Sequence, residues 1–345
     1  MAKDAAEEVP RAEKPAEQVT PQGAAGNPLA GVAIAMWRRR EASIAIVGIL
    51  LLFYFQSSNE AFLQEGNIRT LMQFAYRTII IACGLVMLLI CGEIDLSVGV
   101  VFGFTPIIMH LADEQFVLPI AILIALLVTL FVGFVNGFVS VYLRVPSFVT
   151  TLGTLFLISG LNVILTDGFP KPQPEASTFT SYIGDAQFAG IIWAVIIVVL
   201  MHLLLNRTRW GLHTFAVGGN IIGASEAGVK VNRVKIGNFM LCSLLGGTAG
   251  ILEAFRISSI HPLAGGADTM FLAVSAAVIG GTALAGGSGT IIGAFFGAAV
   301  LAILRNGFTL QGVSADTFNV ILGIAIVITM TLNVYVGRLR RSGGT

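Results

Sequence analysis

The sequence predicts an all-α protein, a polytopic transmembrane helical bundle of about ten spans with the N- and C-termini cytoplasmic. Three observations carry that reading. Of 345 residues, 55% are hydrophobic and only 11% are charged, whereas a soluble domain carries about a quarter charged residues to cover itself against water. The mean hydropathy is +0.86. Apolar runs recur from residue 43 almost to the end of the chain, and crossing a bilayer takes about 20 such residues each time. Lipid leaves an open sheet edge unsatisfied, so each span is expected to be helical.

Residues 1–36 are rich in Ala, Glu, Lys and Pro without an apolar period, the composition of a disordered tail. A cleaved signal peptide begins with a short basic stretch directly before its apolar core. Here a mixed-charge tail comes first, so the first span is expected to be an uncleaved anchor. Reading between charges and Pro/Gly punctuation places spans near 43–56, 72–91, 96–112, 117–142, 147–166, 188–205, 236–256, 269–286, 289–305 and 316–336. The shorter ones suit half-spans or re-entrant segments. Together they form one transmembrane domain over 37–337, with a short cytoplasmic tail at 338–345.

Orientation follows from the short loops, because Lys and Arg are retained on the cytoplasmic side. An inside N-terminus keeps Arg38, Arg39 and Arg40 in the cytoplasm. It does the same for Arg144, for Arg207, Arg209, Lys230, Arg233 and Lys235, and for Arg338, Arg340 and Arg341. Only Arg69, Arg77, Lys171, Arg256 and Arg305 then fall at or near the outer side. The largest outer loop, 167–187, holds three prolines and several hydroxyls, and it suits a docking surface or a solvated connector equally. The largest inner loop, 206–235, is basic and amphipathic, as expected of a segment that meets another protein or the membrane surface.

Within that inner loop a turn at Gly218, Gly219 and Asn220 precedes IIGASEAGV. Small residues at Gly223, Ala224, Ala227 and Gly228 give a short helix a smooth face that fits a partner's groove. An ordinary juxtamembrane helix lying on lipid headgroups is the plain alternative. Ionisable residues at membrane depth are costly and so are functional candidates by default. Glu93 and Asp95, in CGEIDLSVG, are expected at a cytoplasmic turn. There Asp95 reads first as the N-terminal cap of the next helix, with substrate contact as the second reading. Glu253 and Arg256 stand three apart on one helix face and are expected to pair near the outer boundary. The glycines at 246, 247, 250, 280, 281, 286, 287, 289, 293 and 297 let helices approach closely or break them.

The formal net charge of +1 gives no electrostatic reason to expect nucleic acid as a partner. Cys83, Cys91 and Cys242 stand apart in apolar runs, where they pack as small hydrophobes. The sequence holds no GxxxxGK[ST] phosphate loop, so the chain is not expected to hydrolyse nucleotide itself. Its four histidines, at 110, 202, 213 and 261, form no HExxH motif. Catalytic and metal-ligating residues are therefore expected to be none.

Five segments carry a resemblance to a known family. CGEIDLSVG resembles the GGIDLSVG signature of the ribose-type sugar permeases of ATP-binding-cassette importers. GFVNGFVSVYLRVPSFVTTLGTLFLISGL from Gly133, GLHTFAVGGNIIGASEAGVKVNRVK from Gly211, VIGGTALAGGSGTIIGAFFGA from Val278 and RNGFTLQGV from Arg305 resemble the segments that follow it, in the family's order, between about residues 60 and 337. Glu93 stands where the family usually has Gly. Met270, Phe271, Leu272, Ala273 and Val274 stand where relatives often carry an acidic stretch.

The resemblance implies a bacterial inner-membrane, multi-pass permease subunit and no enzyme. Two permeases, either identical copies or sister subunits, would form the pathway. Two ATPase subunits would bind the cytoplasmic face with ATP and Mg, leaving no cofactor in this chain, and a soluble binding protein would deliver the solute. The coupling element carried over is Gly219, Asn220, Ala224, Ala227 and Gly228. The implied cargo is a pentose, hexose or polyol, with purine nucleosides and a furanosyl signal molecule also carried by relatives. Asn136, Thr150, Thr151, Asn162 and Ser275 are the polar pathway candidates, each equally able to make an interhelical hydrogen bond. The alternative class, an ion-coupled secondary transporter, would need ionisable relays deep in several spans, whereas most charges here lie at span ends.

Overall fold

A computed structural model describes residues 40–175, 178–314, 316–324, 327–328 and 331. The chain divides into Met1–Arg38, which lies outside the described residues, and Arg39–Thr345, to which everything below refers. The tails read at 1–36 and 338–345, and part of the span read at 316–336, also lie outside them.

The helices are α1 (Arg40–Ser58), α2 (Glu65–Ile90), α3 (Val98–Asp113), α4 (Leu118–Tyr142), α5 (Ser147–Thr166), α6 (Ala189–Arg207), α7 (Arg209–Gly219), α8 (Ile221–Glu226), α9 (Val231–Ile257), α10 (Gly266–Ile279) and α11 (Ile291–Leu310). After a turn at Gln311 and Gly312, residues 316–324 are helical again. Seven helices, α1, α2, α4, α5, α6, α9 and α11, are long and apolar enough to cross a membrane, and α3 and α10 are shorter apolar helices. The described residues therefore show an all-α membrane bundle. Two of the apolar runs are broken short by turns. The outer loop adds a two-residue ladder, β1 (Lys171–Pro172) antiparallel to β2 (Ser259–Ile260).

Burial sorts the helices into an inner and an outer set. The best 18-residue windows of α2, α9 and α11 are 83%, 67% and 61% buried, whereas those of α1, α4 and α5 are 11%, 22% and 17% buried. The outer set keeps large side chains such as Phe53, Phe131 and Phe156 exposed, which lipid tolerates and water does not. Small residues set the inner spacing. A side chain at Gly84 would meet the Cys242 backbone where α2 crosses α9, and one at Gly133 or Gly137 would meet α9 from α4.

The inner set is built twice. α9 packs on α3 and α4, α2 packs on α10 and α11, and α2 and α9 pack on each other. In each half a long helix ends, the chain turns back into the bundle, and a short helix starts there. The first break is a Schellman cap: Gly92, at φ +75°, donates to Leu89 O and Glu93 donates to Leu88 O. The second ends at Ser258, whose φ of +55° is left-handed. The two short helices start at one place. A side chain on Gly99 of α3 would collide with the Gly266 carbonyl, and one on Gly265 with the Gly99 carbonyl. Val98 packs on Gly246, which stands 15 residues into α9, about 22 Å along a helix of about 40 Å. The two N-termini thus meet at mid-depth, the arrangement that re-entrant helices adopt in transporters.

Candidate functional site

Two regions gather the residues singled out in the sequence. The first is the break between α2 and α3, where local chemistry and tertiary packing combine. Asp95 is fully buried. Its Oδ1 accepts from Ser97 N at 2.8 Å and from Ser97 Oγ at 2.6 Å, so Asp95 holds the turn that leads into α3, whose N-cap is Ser97 and not Asp95. Ser97 Oγ accepts from Asn136 Nδ2 at 2.9 Å, and Asn136 Oδ1 accepts from Thr154 Oγ1 at 2.6 Å. The turn backbone is held from α5: Leu96 N donates to Thr151 Oγ1 at 3.0 Å and Ile94 N to Ser147 Oγ at 3.4 Å. The second carboxylate oxygen, Oδ2, has no hydrogen-bond partner, and the Ser243 hydroxyl of α9 stands beside it. The turn therefore differs from a solvated cytoplasmic loop: its polar groups lie inside the bundle, so partners from α4 and α5 replace water.

Glu93 stands in the same turn and pairs with α9. Its Oε1 accepts from Lys235 Nζ at 2.6 Å, and both side chains are largely buried, at 16% and 15% exposure. The sequence reading placed both charges at the same membrane face without pairing them, because 142 residues separate them.

Of the pathway candidates, Asn136 and Thr151 join the Asp95 network. Asn162 donates to Val100 O at 3.5 Å and leaves its Oδ1 without a partner. The Thr150 hydroxyl is buried with no partner. Ser275 bonds back to Phe271 O on its own helix at 2.6 Å. Ser97, Ser147 and Thr154 were missed in the sequence. Ser97 stands two residues after Asp95 at a helix start, which is a capping signal. Nothing in the sequence marks the other two.

The second region is α7–α8. Asn220 ends α7 and caps α8, accepting from Gly223 N at 2.9 Å. Gly228, at φ +82°, closes α8 with a second Schellman cap, donating to Ser225 O while Val229 donates to Ala224 O. Ala224 turns inward and packs with Cys91, Val217 and Val234. The surface presented outward is thus Ile221 and Ile222, 48% and 72% exposed, with Ala227 and Gly228 at its end. That corrects the expectation that Ala224 lies on the docking face. Gly219 is exposed with open space around it.

The segment is fastened to the inner helices. Trp210 Nε1 donates to Asn238 Oδ1 at 2.8 Å, and Asn238 Nδ2 donates to Thr214 Oγ1 at 3.2 Å and to Met87 O at 3.4 Å. Gly287 N donates to Ile90 O at 2.9 Å, and a side chain at Gly218 would collide with that same carbonyl. α7–α8 therefore sits where α2 ends and where α9 and α11 begin.

Toward the other end, Glu253 is the centre of a buried ionic cluster. Arg256 donates to it twice, Nε to Oε2 and Nη2 to Oε1, both at 2.7 Å. Arg77 Nη1 donates at 3.0 Å and Tyr76 Oη at 2.5 Å. The pairing of Glu253 with Arg256 was expected, and the α2 contribution joins α2 to α9. Among the described residues no group of His, Cys, Asp or Glu is placed to hold a metal ion.

Broken helices meeting at mid-depth and a capped segment fastened across one end of the bundle define a membrane transport subunit. The model of the family described as the branched-chain amino acid transport system permease component matches residues 67–330. The chain is 36% identical over 311 residues to the xylose/arabinose import permease protein of Sulfolobus acidocaldarius, covering 87% of this chain and 86% of the relative. It is 35% identical over 280 residues to the ribose import permease protein of Bacillus subtilis, covering 80% and 87%. It is also 32% identical over 300 residues to the autoinducer 2 import system permease protein of Photorhabdus luminescens, covering 86% and 89%. No solved structure matches the chain. The chain belongs to the ribose-type permease family of ATP-binding-cassette importers, and is a transport component rather than an enzyme.

Proposed function

We propose that this chain carries a pentose, hexose or polyol through a bacterial inner membrane, receiving it from a soluble binding protein on the outer side. Two such permeases, identical or sister subunits, form the pathway. Two ATPase subunits, which carry the ATP and Mg, dock at α7–α8 on the cytoplasmic side. The observation that carries this reading is the α7–α8 segment itself. It exposes Ile221 and Ile222 on a short helix with a defined cap at each end, flanked by Arg207, Arg209, Lys230 and Arg233. Its fastening to Met87, Ile90 and Asn238 gives a push on α8 a rigid route into α2 and α9. Nucleotide then acts by binding differentially to two arrangements of those helices. Sugar cargo is supported by the printed roles of the relatives, xylose/arabinose and ribose import.

The test is a pull-down of the detergent-solubilised chain with mass spectrometry of the partners, comparing wild type with Gly228→Asp. A β-carbon at Gly228 meets open space, but a φ of +82° strains any side chain, so the variant loses the left-handed cap and gains an outward charge without displacing a neighbour. The expected result is an ATPase with wild type and none with the variant, both monodisperse by gel filtration. A reconstituted wild type that moves solute under an ion gradient and retains no ATPase would replace this reading with the secondary transporter.

A further inference from the structure

At the end of the bundle away from α7–α8 there is an open cleft of about 440 Å³ between α10, α11 and residues 316–323. That volume lies within the roughly 300–1,000 Å³ typical of small-molecule sites. Its polar lining is Asp268, Arg305, Asp316 and Asn319, and its aromatic lining is Phe271 and Phe318. Arg305 stands 14 residues beyond the start of α11, about 21 Å from the level of the α7–α8 segment.

The buried ion pairs among the described residues are Glu93 with Lys235 and Glu253 with Arg77 and Arg256. Asp268, Arg305 and Asp316 form no ion pair among the described residues, although Arg305 lies within electrostatic reach of Asp268. The guanidinium instead covers the Phe74 ring, 5.0 Å from its centroid. Asp268, Asp316 and Asn319 are exposed to the cleft and Arg305 is half-buried, so three charges converge there with an amide and two rings. Two carboxylates disfavour an anion, and the arginine disfavours a cation. Carboxylate acceptors, guanidinium and amide donors and apolar faces together match a neutral ring bearing several hydroxyls, each of which donates and accepts.

We infer that this cleft is the first binding site for the sugar on its way through the permease, a subsite for a pentose-sized neutral ring held by Asp268, Asp316, Arg305 and Asn319 against Phe271 and Phe318. The assignment rests on the sugar-importer reading above. The cleft runs from Asp316, just past the end of α11, to Asp268, two residues beyond Gly266, so it leads to the mid-depth meeting of Gly99 and Gly266.

Gly323 lines the cleft with open space around it, which suits a reporter thiol. The native cysteines described, Cys83, Cys91 and Cys242, are buried and do not compete. In spheroplasts carrying the complete importer, Gly323→Cys is labelled with a membrane-impermeant maleimide, with and without D-ribose, D-xylose, L-arabinose or D-glucose. The transported sugar is expected to slow labelling about tenfold or more at saturation. That protection is expected to vanish when Asp268→Asn and Asp316→Asn are added. Normal uptake without protection, protection that survives the double change, or labelling only after permeabilisation would overturn the subsite and leave the importer reading standing. A wild type that takes up none of the four sugars overturns both.

Discussion

The Lys235 ammonium lies 2.6 Å from the Glu93 carboxylate, tying the turn between α2 and α3 to the second turn of α9. The pair is a strut between that turn and the segment that follows α8. Both partners are largely buried. The cost of breaking the pair should therefore fall between the roughly 1 kcal/mol of an exposed pair and the roughly 3–5 kcal/mol of a fully buried one. Glu93→Gln and Lys235→Met are each expected to lower the thermal midpoint in detergent, and the exchange Glu93→Lys with Lys235→Glu to recover part of it. A Glu93→Gln midpoint equal to wild type would mean that the pair bears no load.

Glu253 sits under a heavier demand, because it compensates Arg77 and Arg256 at once while accepting from Tyr76. Removing the charge leaves two cations facing each other in a low-dielectric site, and breaking a buried pair costs about 3–5 kcal/mol. Glu253→Gln is expected to be poorly expressed or to lose most of its thermal stability. Tyr76→Phe removes only a hydrogen bond to a charged group, about 1.5–3 kcal/mol. The order of the two midpoints checks the assignment, and it fails if Tyr76→Phe is the more damaging.

These two clusters also show what the sequence makes legible. Glu253 and Arg256 were readable because helical spacing of three brings them together. Glu93 and Asp95 were readable as charges beside apolar runs. Their partners were not, since Lys235, Arg77 and Asn136 come from helices far along the chain and nothing local reports which helices pack. The same limit explains the breaks. Residues 96–112 and 269–286 read as apolar runs, and only Gly99 meeting Gly266 shows that both helices start inside the bundle. Ala224 was misplaced for a further reason. A smooth face suits a foreign groove and the permease's own surface equally, and here the permease's own surface takes it.

The mid-depth contact yields a sharp prediction. A methyl at Gly99 would strike the Gly266 carbonyl, and that atom is backbone, with no rotamer to yield. Gly99→Ala is therefore expected to part the two helix starts or block folding, appearing as aggregated or degraded protein by fluorescence gel filtration. Gly153, on α5, has nothing within 4 Å of an added β-carbon, so Gly153→Ala should express as wild type. Equal profiles for the two variants would show that the short helices do not meet.

The Asp95 network separates a capping role from a charge role. Asp95 Oδ1 accepts from Ser97 N and Oγ, while Oδ2 makes no hydrogen bond. Asn at this position keeps an acceptor for Ser97 and loses only the charge. Ala loses both and leaves a backbone N–H buried without a partner, at about 1–3 kcal/mol. If Asp95 acts only as a cap, Asp95→Asn should match wild type in thermal midpoint and uptake while Asp95→Ala falls in both. If the charge itself takes part in the transport cycle, Asp95→Asn should hold its midpoint and lose uptake. The structure favours the second outcome, because burying a whole carboxylate to satisfy one cap is costly where a serine or asparagine would serve. An Asp95→Asn protein with wild-type uptake would return the residue to a purely local role.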